Sequence, residues 1–184
     1  PATVETLRAL DPYGVVVACG GDQIVPNIPG VDRSNVYYIE DVLMGRVSFE
    51  GKNIAVIGGG HVGLEVAHFL CDSNEMQKEV GVTIYRTARY KLLSLLAESG
   101  VEVLTEHAIA GVTDGAVELK KTDTGEVVTR PADIVIMALG NRPDKSYEQQ
   151  LKDAFDKVVF VGDANKGGTM ADATLSAYEN CWFF

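Results

Sequence analysis

The feature that most constrains this chain is a run of glycines placed directly after an apolar strand. Asn53-Ile54-Ala55-Val56-Ile57 leads without a break into Gly58-Gly59-Gly60-His61-Val62-Gly63, and an apolar helical pattern continues to Leu70. The hexapeptide fits G-x-G-x-x-G, which alone is weak evidence. Strand, turn and helix in that order give it mechanical meaning. Gly58 permits the tight turn, Gly60 lets the backbone approach a pyrophosphate, and Gly63 lets the helix pack closely on the strand. The helix N-terminus adds free N–H groups and partial positive charge, which suit a phosphate. Val62, Val66, Phe69 and Leu70 are expected to face the sheet, with Ala67 keeping the contact close.

That local device matters because the chain as a whole repels anions. Its 184 residues carry a net charge of −10, with an isoelectric point near 4.7. Such a field disfavours nucleic acid and anionic membrane surfaces. Any phosphate must therefore be held by dipoles and a few placed cations. No apolar run approaches the roughly 20 residues of a membrane span, and the N-terminal segment lacks the pattern of a signal peptide. Cys19, Cys71 and Cys181 form no close pair. This spacing reads as reduced thiols of a cytoplasmic protein, expected to be buried as small hydrophobes.

Further apolar runs recur along the chain: Val15–Ala18, Val82–Tyr85, Val101–Leu104, Ile134–Ala138 and Val158–Val161. Runs this continuous predict strands buried on both faces, as in a parallel sheet. Helical patterns cover 61–70, 90–99 and 170–179. Residues 108–129 instead alternate, with turn clusters at Thr113-Asp114-Gly115 and Asp123-Thr124-Gly125, and predict a small antiparallel meander. The fold class is therefore α/β: a Rossmann-like parallel sheet with helices on both faces, plus a meander. Joints at Gly45–Lys52 and Asn141–Asp144 divide the chain into segments 1–47, 48–143 and 144–184.

The candidate cofactor-binding residues of this turn and helix are Gly58, Gly59, Gly60, His61, Val62, Gly63 and Glu65. His61 sits in the turn, where it either touches a phosphate or is a solvated filler. Glu65 can hydrogen-bond a nicotinamide ribose or simply favour the helix dipole. No residue reads as a catalytic acid, base or nucleophile, and none as a metal ligand.

These residues resemble a known family. Lys52–Ala67 resembles the NAD(P)H domain of the FAD/NAD(P)-binding, pyridine nucleotide-disulfide oxidoreductase-like flavoproteins. Tyr13–Gly21 and Val25–Gly30 are similar to that family's "ATG…P…IPG" stretch, with Cys19 where Thr is usual. Ala138–Pro143 resembles the second such strand end, and Val158–Ala164 resembles the "GD" motif that meets the flavin ribityl chain. Asp41–Leu43 and Arg89–Leu96 look most like the C-terminal half of old-yellow-enzyme-type reductases, such as dienoyl-CoA and enoate reductases. Four motifs in the expected order span nearly the whole chain.

The resemblance implies that segments 1–47 and 144–184 are parts of an FAD-type domain flanking an NAD(P)H domain at 48–143. It implies NAD or NADP as the bound cofactor, with FAD in the full-length protein, and it adds Arg86, Gly140, Gly162 and Asp163 to the candidate cofactor-binding residues. The family's first G-x-G-x-x-G is absent, which marks the chain as a fragment whose partners are missing flavin and substrate domains of the same polypeptide. It would deliver hydride from NAD(P)H to flavin for an enoate or dienoyl-CoA-like substrate bound elsewhere. The alternative is a non-catalytic module that holds ADP. A plain dehydrogenase fits poorly with the Gly162-Asp163 ending. The strand matching Val82–Tyr85 usually ends in Glu, with a loop before the next helix. Here Arg86-Thr87-Ala88-Arg89 follows at once, either because the loop is deleted or because residues are missing. An acidic residue there favours NAD and an Arg favours the 2′-phosphate of NADP, so Arg86 leaves that choice open.

Overall fold

The computed structural model describes residues 2–50, 52–72 and 86–182, with the backbone alone described at residues 61, 72 and 86–89. In chain order the elements are α1 (Val4–Arg8), β1 (Val15–Val17), β2 (Gly21–Gln23), β3 (Val36–Tyr38), α2 (Ile39–Leu43), β4 (Ile54–Ile57), α3 (His61–Asp72) and α4 (Arg86–Glu98). There follow β5 (His107–Thr113), β6 (Ala116–Lys121), β7 (Val127–Pro131), β8 (Ile134–Met137), β9 (Asn141–Pro143), α5 (Glu148–Ala154), β10 (Val158–Phe160) and α6 (Met170–Cys181). A short 3-10 turn at Gly162–Ala164 separates the last strand from the last helix.

The chain forms two compact units, one from residues 25–139 and one from residues 1–24 with 140–184. In the first, β3, β8 and β4 make a parallel sheet with β8 in the middle. Every residue of β8 is buried, and their alternation explains why. Ile134 and Ile136 point to a core shared with Val42 of α2 and Val66 and Leu70 of α3. Val135 and Met137 point to the opposite core, built on Val112, Val117 and Leu119 of the meander. A strand covered on both sides cannot afford a polar position, and each large apolar side chain removed from water there stabilises by about 1.5–3 kcal/mol. Helices thus cover one face of this sheet and the meander covers the other.

The meander is β5-β6-β7, antiparallel, with a register shift between Ile109 and Gly111. Its turns fall at the Asp/Thr/Gly clusters, where Arg33 pairs with Asp114 and the Thr124 N–H donates to Asp123 at 2.6 Å.

In the other unit, β1 and β10 pair in parallel. Val15, Val17 and Phe160 pack with Leu151 of α5 and with Val4 and Leu7 of α1. The expected burial on both faces fails here, since Val16 points the other way and is 45% exposed. A second pair, β2 with β9, is antiparallel and sets Gly21 opposite Pro143.

One other expectation differs. Val101–Leu104 is not a strand; among the described residues no strand pairs with it, and the Val101 N–H instead closes the end of α4 on Leu96. The strand expected at 82–85 lies outside the described residues. The limits of the compact units fall at 24/25 and 139/140, and the pairing of β3 with β8 joins residues 25–47 to the central unit. Among the described residues no helix is long and apolar enough to cross a membrane.

Candidate functional site

The glycine turn begins where β4 leaves the sheet. The Ala138 N–H donates to the Ile57 carbonyl at 2.8 Å, holding the strand end against the chain that follows β8. Gly58 then turns with φ +122°, a conformation L side chains rarely adopt. A Cβ on Gly58 would overlap the Ala138 carbonyl oxygen. A Cβ on Gly63 would overlap the Gly58 carbonyl oxygen and stand 3.3 Å from the Ala138 Cβ. Around Gly59 and Gly60 the picture reverses, because an added Cβ would meet nothing within 4 Å. The turn therefore has two glycines demanded by the protein's own packing and two that face open space.

Helix α3 starts at His61, and the Leu64 N–H donates back to the Gly60 carbonyl at 3.1 Å. The buried positions described in α3 are Gly63, Val66, His68 and Leu70. Val62 and Phe69 are 48% and 45% exposed, against the expectation that they face the sheet. Both share the face of Val66, at i−4 and i+3, but on the side away from Gly63 and Leu70, and so lie at the exposed edge of the stripe. Glu65 is half-buried one turn into the helix. Arg86 begins α4.

Gly140, Gly162 and Asp163 belong to the other unit. Gly140 has φ +85° and accepts from the Ile24 N–H at 2.9 Å, joining the segments that carry β2 and β9. Gly162 and Asp163 line a cavity of about 480 Å³ with Ala18, Gly20, Val161 and Gly168, within the size range of small-molecule sites. Gly162 has φ +57°, and a Cβ there would stand 3.2 Å from the Ala173 Cβ of α6. One oxygen of Asp163 accepts from the Gly168 N–H at 3.2 Å, closing the loop beside the cavity.

The sequence reading missed the rest of this cavity. Thr169, Met170 and Thr174 also line it. Thr169 caps α6 by accepting from the Asp172 N–H at 3.2 Å, while the Asp172 carboxylate accepts from Thr169. Those bonds hold the Asp172 carboxyl below its ordinary range. The signal was present, since Thr169-Met170-Ala171-Asp172 has capping-box spacing. Cys19 was expected to be buried, but it is exposed and hydrogen-bonded to the Tyr147 hydroxyl at 2.6 Å. A short side chain at a strand exit reaches a partner there that only tertiary structure supplies. The bond to Cys19, followed by burial, pushes the Tyr147 hydroxyl up to about 12.

Among the described residues no group of His, Cys, Asp or Glu could hold a metal ion. The fold and the turn together define an α/β protein of the dinucleotide-binding type. The match to the pyridine nucleotide-disulphide oxidoreductase family covers residues 5–164, and the chain belongs to that family. It is 28% identical over 191 residues to an NADH oxidase of Thermoanaerobacter brockii, covering 98% of this chain and 29% of that protein. It is 28% identical over 187 residues to a cinnamate reductase of Clostridium sporogenes, covering 97% and 27%. The solved structure of a 2-naphthoyl-CoA reductase superposes with a TM-score of 0.80 at 23% identity, over the whole of this chain and 28% of that one. The chain thus spans less than a third of the length of each of these relatives.

Proposed function

We propose that this chain is the NAD(P)H-binding portion of a flavin-dependent reductase, with the glycine turn at Gly58–Gly63 as the dinucleotide site. The observation that carries the reading is the division of labour within the turn. Gly58 and Gly63 are glycine because protein atoms crowd them, whereas Gly59 and Gly60 have no protein neighbour that would exclude a side chain. Open space at the first residues before a helix is where a pyrophosphate fits, against N–H groups and the positive end of the dipole. The residues present therefore fit the cofactor.

In this reading the backbone of Gly59, Gly60 and His61 binds the phosphates, Val62 borders them, and Glu65 meets the nicotinamide ribose. Arg86 lies in the neighbourhood that distinguishes NADP from NAD. The unit of residues 25–139 is the NAD(P)H domain. The unit containing Gly140, Gly162 and Asp163 is part of an FAD-type domain, with Asp163 offering its carboxylate to flavin ribityl hydroxyls. A bound reduced nicotinamide supplies a hydride for flavin; the protein's part is binding, orientation and exclusion of water. The likeness to a cinnamate reductase supports an enoate or dienoyl-CoA-like substrate, held by flavin and substrate domains of a longer polypeptide.

Titration of the chain with NADH, NADPH and ADP tests this. Saturable binding of a reduced dinucleotide tighter than ADP is expected. If ADP binds as tightly and the nicotinamide half adds nothing, the site is a non-catalytic adenine-nucleotide module and the reading fails.

A further inference from the structure

We propose that Tyr147 is a positioning residue, tying together the two strand exits that wall the cavity of the unit containing β1 and β10. Tyr147 stands just before α5 and does not itself line the cavity. Its hydroxyl bonds Cys19 Sγ at 2.6 Å, two residues past the end of β1. Its ring stacks on Phe160, the last residue of β10, with centroids 6.3 Å apart and planes 17° from parallel. Lys145 Nζ lies 5.0 Å from the centroid of that Phe160 ring, fixing the second partner further. One side chain thus grips both parallel strands at the end where they leave the sheet.

The residues beside each grip are those that line the cavity. Ala18 and Gly20 flank Cys19, while Val161, Gly162 and Asp163 follow Phe160 directly. Gly20 and Gly162 both have positive φ, which glycine adopts without strain. The backbone joins the exits where the Val161 N–H donates to the Val17 carbonyl at 3.0 Å; side chains carry the tie beyond that point, and Leu151 of α5, buried in the same cluster as Phe160, anchors the helix that Tyr147 precedes. Either group can supply the proton of this bond, the Tyr147 hydroxyl or the Cys19 thiol. The value of this device to a cofactor rests on the flavin assignment of the cavity; the tether itself does not.

The experiment is hydrogen exchange by mass spectrometry on the chain and four variants. Tyr147→Phe keeps the ring and removes the hydroxyl. It is expected to raise exchange over residues 18–21 and 161–164 by about two- to tenfold, the weight of one net hydrogen bond, while residues 63–71 of α3 stay unchanged. Cys19→Ala should reproduce that pattern, Cys19→Ser should restore the parent rates by supplying another hydrogen-bonding group, and the double variant Tyr147→Phe with Cys19→Ala should be no worse than either single change. Parent-like exchange in Tyr147→Phe overturns the proposal, as do additive effects in the double variant. A rise across the whole chain also overturns it, because it marks general destabilisation. None of these outcomes depends on nucleotide binding at Gly58–Gly63, which the titration above reads separately.

Discussion

Gly63 lies directly over Gly58: a Cβ at residue 63 would fall inside the contact distance of the Gly58 carbonyl oxygen and touch the Ala138 Cβ. Gly63 is therefore required by the packing of the fold itself. Gly63→Ala should force α3 away from the strand end. The expected loss is about 1–3 kcal/mol, the usual cost of overpacking, read as a lower urea midpoint with the slope retained. An unchanged midpoint would show that α3 moves aside freely.

Gly60 makes the opposite prediction. An added Cβ there meets nothing within 4 Å, so Gly60→Ala should leave stability within about 0.5 kcal/mol of the parent, as for an ordinary surface change. Gly60→Asp should also fold, yet lose NAD(P)H binding, because its carboxylate would stand against the pyrophosphate. Circular dichroism and a nucleotide titration on the same sample separate the two effects. A folded Gly60→Asp protein with parent affinity would falsify the site assignment.

Local pattern made much of this architecture legible in the sequence. The β4–turn–α3 unit, the meander and the buried β8 each follow from a periodicity or a glycine spacing within one short segment. What remained hidden depends on partners distant in sequence. Val16 looks like its neighbours Val15 and Val17, but α1 and α5 cover only one face of β1. Strands β2, β3 and β9 have three residues each, too short for an alternation to register, and exist because Pro143 meets Gly21 and Val36 meets Val135. Val62 and Phe69 have helical spacing with Val66, but the sheet covers the side of that stripe on which Gly63 and Leu70 lie, which spacing alone does not reveal. The cavity beside Gly162 was half legible: the Gly-Asp turn signalled one wall, whereas Ala18 and Gly20 joined it only through the pairing of β1 with β10.

Asp163 illustrates how a motif residue can hold its own loop. Its carboxylate accepts from the Gly168 N–H at 3.2 Å, and Asp163→Ala removes that bond. The expected result is faster amide exchange at Gly168 with α6 still formed, since the Thr169–Asp172 cap is separate. Protease nicking confined to residues 164–168 would report the same opening. Parent-like exchange at Gly168 would leave the carboxylate with no part in closing the loop.

The acid limb of stability should depend on Asp133. Its carboxylate accepts from the Asn53 backbone N–H at 2.8 Å and from the Asn53 side-chain amide at 3.1 Å, joining the entrances of β4 and β8. These bonds, the backbone one first, hold the carboxyl below its ordinary value of 3.8. A carboxyl whose value is lower folded than unfolded binds fewer protons in the native state. Its stabilising effect is therefore complete above the unfolded value and is lost as pH falls through the folded one. Urea midpoints measured from pH 6 down to about pH 2 should drop below about pH 4, where an ordinary Asp is about half protonated. In Asp133→Asn part of that drop should disappear, because the amide oxygen accepts at every pH. An acid limb of the same depth in both proteins would remove Asp133 from the account.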